Sequence, residues 1–311
     1  MSGAWPDLPL AAWKDTSVTL QLWTQIVGKT RLALAPWLNH SWHVTFEVTA
    51  RGLAIPLCHA GPLGLQMEFD FIDHLLVLRA SDGQIERLAL KPMTVAAFYE
   101  TLFRLLENLG INLRIGPSPN EIADAIPFRD DTVHRAYDRE FANRFWRILL
   151  VSHKVFSRFR TGFLGKASPV HFFWGSFDLA VTRFSGRAAP RHPGGVPHLP
   201  DAVVREAYSH EVSSAGFWPG GGAIDYPAYY SYAWPAPDGF ARARARPAEA
   251  FFSAGLGEFL LPYDAVRTAP DPEARLMDFL QSTYEAAADR AGWDRAALEC
   301  ALGQPGRPRV V

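Results

Sequence analysis

The chain has 311 residues, 48% of them hydrophobic and 20% charged, enough to bury roughly three quarters of its unfolded surface in one large or two ordinary domains without help from a metal or disulfide. Thirty-one basic residues against 32 acidic ones leave a net charge of -1, which excludes a global basic field for nucleic acid or an anionic membrane. Cys58 and Cys300 are too few for a disulfide scaffold, Met1 to Trp13 lacks the basic start and apolar run of a secretory leader, and no stretch approaches the ~20 apolar residues of a membrane span. A cytoplasmic protein without nucleic-acid or membrane partners is the expectation.

In chain order, Val18 to Ala35 reads as a helix, with Leu22, Ile26 and Leu34 near one face, Lys29 and Arg31 elsewhere, Asp15 or Thr16 as a cap and Pro36 as the stop. From Trp42 to Leu53 the period becomes two. Trp42, Val44, Phe46, Val48 and Ala50 alternate with polar partners, which predicts a strand with one wet face. Leu65 to Phe71, Leu75 to Ala80 and Gln84 to Leu90 follow as strands, the last two joined by a Ser81-Asp82-Gly83 turn. Thr94 to Leu109 is helical and Gly110 ends it. Ile111 to Ile115 looks like a further strand, and turn-rich Gly116 to Asp131 is the candidate boundary between two units, 1–120 and 121–311.

The second unit opens with a long helix, Asp138 to Gly165. Strands are predicted over Val170 to Phe184, Ala207 to Phe217, Tyr226 to Trp234 and Phe251 to Leu261, with a Pro/Gly loop at Ala188 to Pro200, and Pro272 to Ala291 closes as a helix. Each half therefore reads helix, four antiparallel strands, helix. This is an α+β class and an internal-repeat order that resembles the helix-grip and TATA-binding-protein-like group.

Four segments, Leu22 to His43, Ser168 to Arg187, Pro193 to Gly222 and Gly257 to Arg267, resemble a bacterial family known only as a domain of unknown function. The resemblance runs from about Leu8 to Asp294 and implies no activity, cofactor or site residue. Function is therefore read from side-chain chemistry.

Phosphate-loop, dinucleotide and nucleophile-elbow signatures are absent. His210-Glu211 begins like a zincin motif, but position 214 is Ser. Imidazole and carboxylate from neighbouring strands make His171, His210 and Glu258 the candidate ligands for a divalent transition metal. The bland reading is a packed core histidine and an ordinary surface carboxylate. Asp178, in an apolar strand, is a candidate acid–base residue. Arg183 or Arg187 could pair with it, and Arg183 is the candidate to orient an anionic substrate. A bland reading, a structural Asp–Arg pair, stands beside that one. Trp174, Trp218, Tyr230 and Tyr232 are the candidate ligand-binding aromatics. Alternation places Tyr226, Tyr230, Tyr232 and Trp234 on one face and Tyr229 on the other. Gly220 to Gly222 reads as a hinge or lid.

Together these features predict a small-molecule enzyme, metal-dependent if the ligand set assembles. Its site is expected between the second sheet and the helix Asp138 to Gly165, with the first half completing the core or a homodimer face. The alternative is a binding protein for an aromatic or apolar small ligand.

Overall fold

The computed structural model describes residues 4–309. The first helix, α1, spans Leu10–Leu34, and the expected cap gives way to an earlier start at Pro9. Thr16, instead of capping, is buried and accepts a hydrogen bond from the Asp138 backbone N–H at 2.9 Å. The helix is buried around most of its circumference, as a helix packed from several sides must be. One face stays polar: Gln21, Gln25 and Lys29 recur at the four-residue spacing that keeps side chains in line.

The alternation at Trp42 to Leu53 resolves differently from the expected long strand. Asn39–Val44 is a kinked 3-10 segment, Phe46 makes a single bridge to Phe172, and only Glu47–Val48 forms strand β1. The Thr49 hydroxyl then accepts from the backbone N–H groups of Arg51 and Gly52, at 3.1 and 2.9 Å, and closes a turn. Strand β2, Gly52–Ala60, is interrupted by a register shift between Ile55 and Cys58. Pro56 occupies that bulge, where a missing N–H does least harm to the ladder. β3 (Leu63–Asp70), β4 (Leu75–Ala80) and β5 (Ile85–Ala89) complete a five-stranded antiparallel meander in sequence order. Helix α2, Val95–Asn108, is capped by Thr94. Ile111 to Ile115, expected as a strand, forms no regular element.

Helix α3, Arg139–Thr161, is capped by Asp138. The predicted strand Val170 to Phe184 is a hairpin: β6 (His171–Phe173) turns through Trp174 to Phe177 into β7 (Asp178–Ala188), with Phe177 in the left-handed region at φ 59°. A short helix, α4 (Asp201–Ala207), precedes β8 (His210–Trp218) and β9 (Ala228–Trp234). The fourth predicted strand also folds on itself, as β10 (Phe251–Ser253) and β11 (Glu258–Pro262), around Gly257 at φ 74°. Helices α5 (Tyr263–Arg267), α6 (Pro272–Arg290) and α7 (Arg295–Leu298) follow. The second sheet has six strands in the order β10-β11-β9-β8-β7-β6. It meets the first sheet at Phe46 and Phe172, whose backbones exchange two hydrogen bonds of 2.8 Å. The class is α+β, and one continuous core runs from Leu8 to Trp293. Among the described residues no helix is long and apolar enough to cross a membrane.

Strand parity divides the second sheet into two unlike faces. Odd-numbered residues such as Leu179, Phe217, Tyr229 and Leu261 are fully covered and face α3 and α6; Tyr229 shares a 2.8 Å hydrogen bond with Ser152 of α3. Even-numbered residues face α1, the 3-10 segment and α4. On that side α1 approaches the β6–β7 turn closely at Gly28, where a Cβ would overlap the Trp174 indole. Adding one buried methyl against a rigid ring is overpacking. Gly28→Ala is therefore expected to destabilise the protein by roughly 1–3 kcal/mol and to shift the tryptophan emission. Denaturant unfolding followed by fluorescence checks both.

Candidate functional site

The even face of the second sheet is not filled. Two adjoining cavities lie over it, of about 550 and 690 Å³. The first is walled by Trp37, Trp42, Phe173 and Trp174 and bordered by Lys29, His40 and His171. The second runs under Gly220 to Gly222 and takes in Trp218, Glu258 and Leu260. Both are lined by Glu121, Ser176, Asp178, Tyr208, Tyr230 and Tyr232, so these residues stand where the cavities meet. No residue of α3 lines either one. The expected site between sheet and long helix is thus corrected to the opposite face. The physical reason is that the odd-numbered side chains interlock with α3 and α6 and leave no room.

Asp178 is 6% exposed and sits at the centre of the junction. Ser176, returned by the β6–β7 turn, donates to its Oδ1 at 2.7 Å, and the Tyr230 hydroxyl donates to Oδ2. Tyr230 has to cross β8 to reach it, and does so over Gly216, where any Cβ would overlap the phenol. Burial raises the Asp178 pKa against these donors. Tyr232 stacks on Tyr230 at 6.0 Å and shares a 2.8 Å hydrogen bond with the Tyr208 hydroxyl. Thr182 and Ser214 pair beside them at 2.8 Å.

Two further carboxyls flank Asp178. Glu258, at the start of β11, is raised to about 7, first by burial and then by Asp178. Glu121 is also raised to about 7 by the same two causes. Its side chain is exposed on the cavity side, so water reaches it and the upward shift is smaller there than at half-buried Glu258. Its position is built from α1. The Gln25 amide donates to the Asn120 carbonyl at 3.0 Å and accepts from the Asn120 N–H at 2.7 Å, and Glu121 N–H donates to Pro197 O at 2.9 Å. Gly175 leaves space for the Glu121 carboxyl, which a Cβ would strike.

Of the residues singled out from sequence, Asp178, Trp174, Tyr230, Tyr232, Trp218, Glu258 and His171 line the cavities. The metal ligand set does not assemble. His171 borders the first cavity, Glu258 the second, and His210 neither. Among the described residues no group of three His, Cys, Asp or Glu side chains is arranged to hold a metal ion. His171 is 2% exposed, its ring lies 4.7 Å from Phe173, and burial lowers its pKa to about 3. It is a packed core histidine. Arg183 is also corrected. Five residues after Asp178, it points to the other face, where it lies 3.5 Å over the Phe159 ring and donates to Phe159 O at 2.5 Å at the end of α3. It neither pairs with Asp178 nor reaches a substrate in the cavities. Arg187 pairs with Glu211 at 2.7 Å instead.

Sequence reasoning missed Glu121, Asn120, Gln25 and Lys29. The signal for the helical pair was the polar ladder Gln21, Gln25, Lys29 in an otherwise apolar helix. Nothing local marks Glu121 inside a turn-rich segment.

An α+β protein with an aromatic cavity and a carboxyl cluster at its centre is the class that fold and site define. The chain belongs to the family of unknown function DUF5996, whose model matches residues 5–300. No curated protein and no solved structure matches it.

The raised carboxyls give a stability signature. A carboxyl with pKa about 7 in the fold and 4.5 in the free chain contributes stability that is whole below 4.5 and lost as pH rises through 7. Relative to wild type, Glu258→Gln should gain melting temperature between about pH 5 and about pH 8, and Glu121→Gln, at an exposed residue, should gain less. A difference that stays flat across that window contradicts the assignment. His210→Ala, at a half-buried position outside both cavities, should shift the melting temperature by less than about 2 °C. Its metal content, read by elemental analysis, should equal that of wild type.

Proposed function

We propose that the protein is an enzyme acting on a small, flat, largely apolar molecule by general acid–base catalysis where the two cavities meet. The observation that carries this reading is the pair Glu121 and Asp178 where the two cavities meet, with Glu258 lining the second cavity and coupled to Asp178. Two of these carboxyls, poised near neutral pH, suit donation and acceptance of a proton by the same type of group. In this reading Glu121 and Glu258 exchange protons with the substrate. Burial keeps both flanking pKa values high, and Asp178, fixed by Tyr230 and Ser176, adds to that shift. Trp174, Trp218, Tyr230 and Tyr232 bind the flat body of the substrate. Arg183 has no part in it, and proton transfer by these carboxyls needs no metal ligand set.

Each half opens with a helix, builds one antiparallel sheet and ends in a helix, but the sheets hold five and six strands where four were expected in each, and α4 interrupts the second; the shared outline and the bridge at Phe46 and Phe172 are what support a reading of the chain as two related units, 1–120 and 121–311. In that arrangement the first unit supplies α1 and the 3-10 segment as the cover of the second unit's site. The apolar first cavity favours one other reading, a binding protein for an aromatic ligand.

A panel of flat aromatic acids, esters and alcohols, incubated with the protein and followed by NMR, separates the two. Turnover that falls by roughly 10²–10⁴-fold in Glu121→Gln or Glu258→Gln, with binding retained, is the expected result. Binding without turnover across the panel in wild type replaces the enzyme with the binding protein.

A further inference from the structure

The first cavity contains a cation without a counter-ion. Lys29 is 7% exposed, and among the described residues its ammonium forms no ion pair with a carboxylate. Its one hydrogen-bond partner is Asn120 Oδ1, and the Trp174 ring lies 5.8 Å away. An ammonium carries three donors, so two of its protons have no acceptor among the described residues. Burial lowers its pKa to about 8, which leaves it mostly charged at neutral pH. A buried charge with neither partner nor full hydrogen bonding is costly, and it is tolerated where a ligand supplies the missing acceptor. Two carboxyls line the same cavity. Asp178 is engaged by Tyr230 and Ser176, and among the described residues Glu121 forms no ion pair with Lys29.

A second cation, Lys166, does not line the cavity but packs against three of its wall residues. Lys166 Nζ lies 2.7 Å from His40 Nε2 and 5.2 and 4.8 Å from the Trp42 and Phe184 rings. Its nearest acid, Glu206, instead accepts a hydrogen bond from Trp37 at 2.9 Å. Among the described residues Lys29 is thus the one Lys or Arg that lines this cavity, and the rings of Trp37, Trp42 and Trp174 wall it.

We propose that this cavity selects an aromatic carboxylate, with the ring system between the tryptophans and the carboxylate on Lys29. This names the substrate class of the proposed enzyme and rests on the reading of the cavity as its substrate site. A salt-bridged hydrogen bond in a water-poor pocket discriminates strongly against a neutral isostere.

The test is calorimetric titration of the full chain at pH 7 with 2-naphthoate and, in parallel, 2-naphthalenemethanol. Wild type should prefer the carboxylate by roughly tenfold or more, and Lys29→Met should bring the two probes to within about twofold without loss of the alcohol's affinity. A second readout does not depend on that variant folding: 2-naphthoate should raise the pH at which the Lys29 Cε resonance titrates, and the alcohol should not. Equal affinity for the probes, binding of neither, or a preference that survives in Lys29→Met overturns the proposal. Because binding and not turnover is read, the two ideas fail separately. Carboxylate-selective binding without turnover removes only the acid–base mechanism, and turnover of neutral aromatics alone removes only the carboxylate site.

Discussion

A carboxyl inside an apolar sheet must be met by donors, and Asp178 is the residue that sets this demand. Water cannot reach it freely, so protein hydroxyls have to come to it. One arrives locally, because the tight turn between β6 and β7 folds Ser176 back beside it. The other arrives from two strands away. Tyr230 can lie across β8 only because residue 216 has no side chain. Once Tyr230 is placed, Tyr232 stacks against it and turns its hydroxyl to Tyr208. A single buried acid thus orders a row of phenols that forms the floor shared by both cavities.

The cavities exist because the two faces of the second sheet are covered by different kinds of helix. The face toward α3 and α6 meets apolar stripes and close-packs, as expected of side chains that need nothing but contact. The face toward α1 meets a polar stripe. Gln21 donates to Gly175 O at 2.8 Å, Gln25 clamps Asn120, and Lys29 reaches the Asn120 side chain. These residues hold loops by hydrogen bonds at set distances and cannot fill space between them. The loops themselves, around Asn120 and around His198, are joined when the Asn120 amide donates to His198 O. The result is a framed opening, where apolar stripes would have produced a packed interior.

Much of the fold was legible in sequence. The period of 3.6 located α2, α3 and α6, which the structure shows capped by Thr94, Asp138 and Asp271, and strand patterning located β3, β4, β5, β8 and β9. The errors share one cause. Alternation records which faces are buried but not where a strand stops, so Trp174 to Phe177 and Ala254 to Gly257 read as strand while serving as turns. Pro56 concealed β2 because a bulge accepts a proline that a regular ladder would not. At the site, Asp178 announced itself as a charge among apolar neighbours, and the Tyr230 and Tyr232 pair followed from parity. Parity also excludes Arg183 as a partner of Asp178, since an offset of five reverses the face. Glu121 had no such mark. Its place depends on a contact between Gln25 and Asn120, 95 residues apart in the chain, and no periodicity carries information over that distance.

The position of Glu121 immediately after Asn120 has a consequence for how the two ends of the cavity act together. Asn120 is fixed by its backbone to Gln25 and by its side chain to Lys29, so Lys29 and Glu121 are held in one rigid frame. An anion on Lys29 adds negative potential at Glu121, and negative potential raises a carboxyl pKa. Burial and Asp178 already place that pKa near 7. In the proposed enzyme, a carboxylate bound on Lys29 would drive Glu121 further toward its protonated form, the form from which a general acid donates. The charge of the substrate would then help to set the protonation state of the acid proposed to act on it.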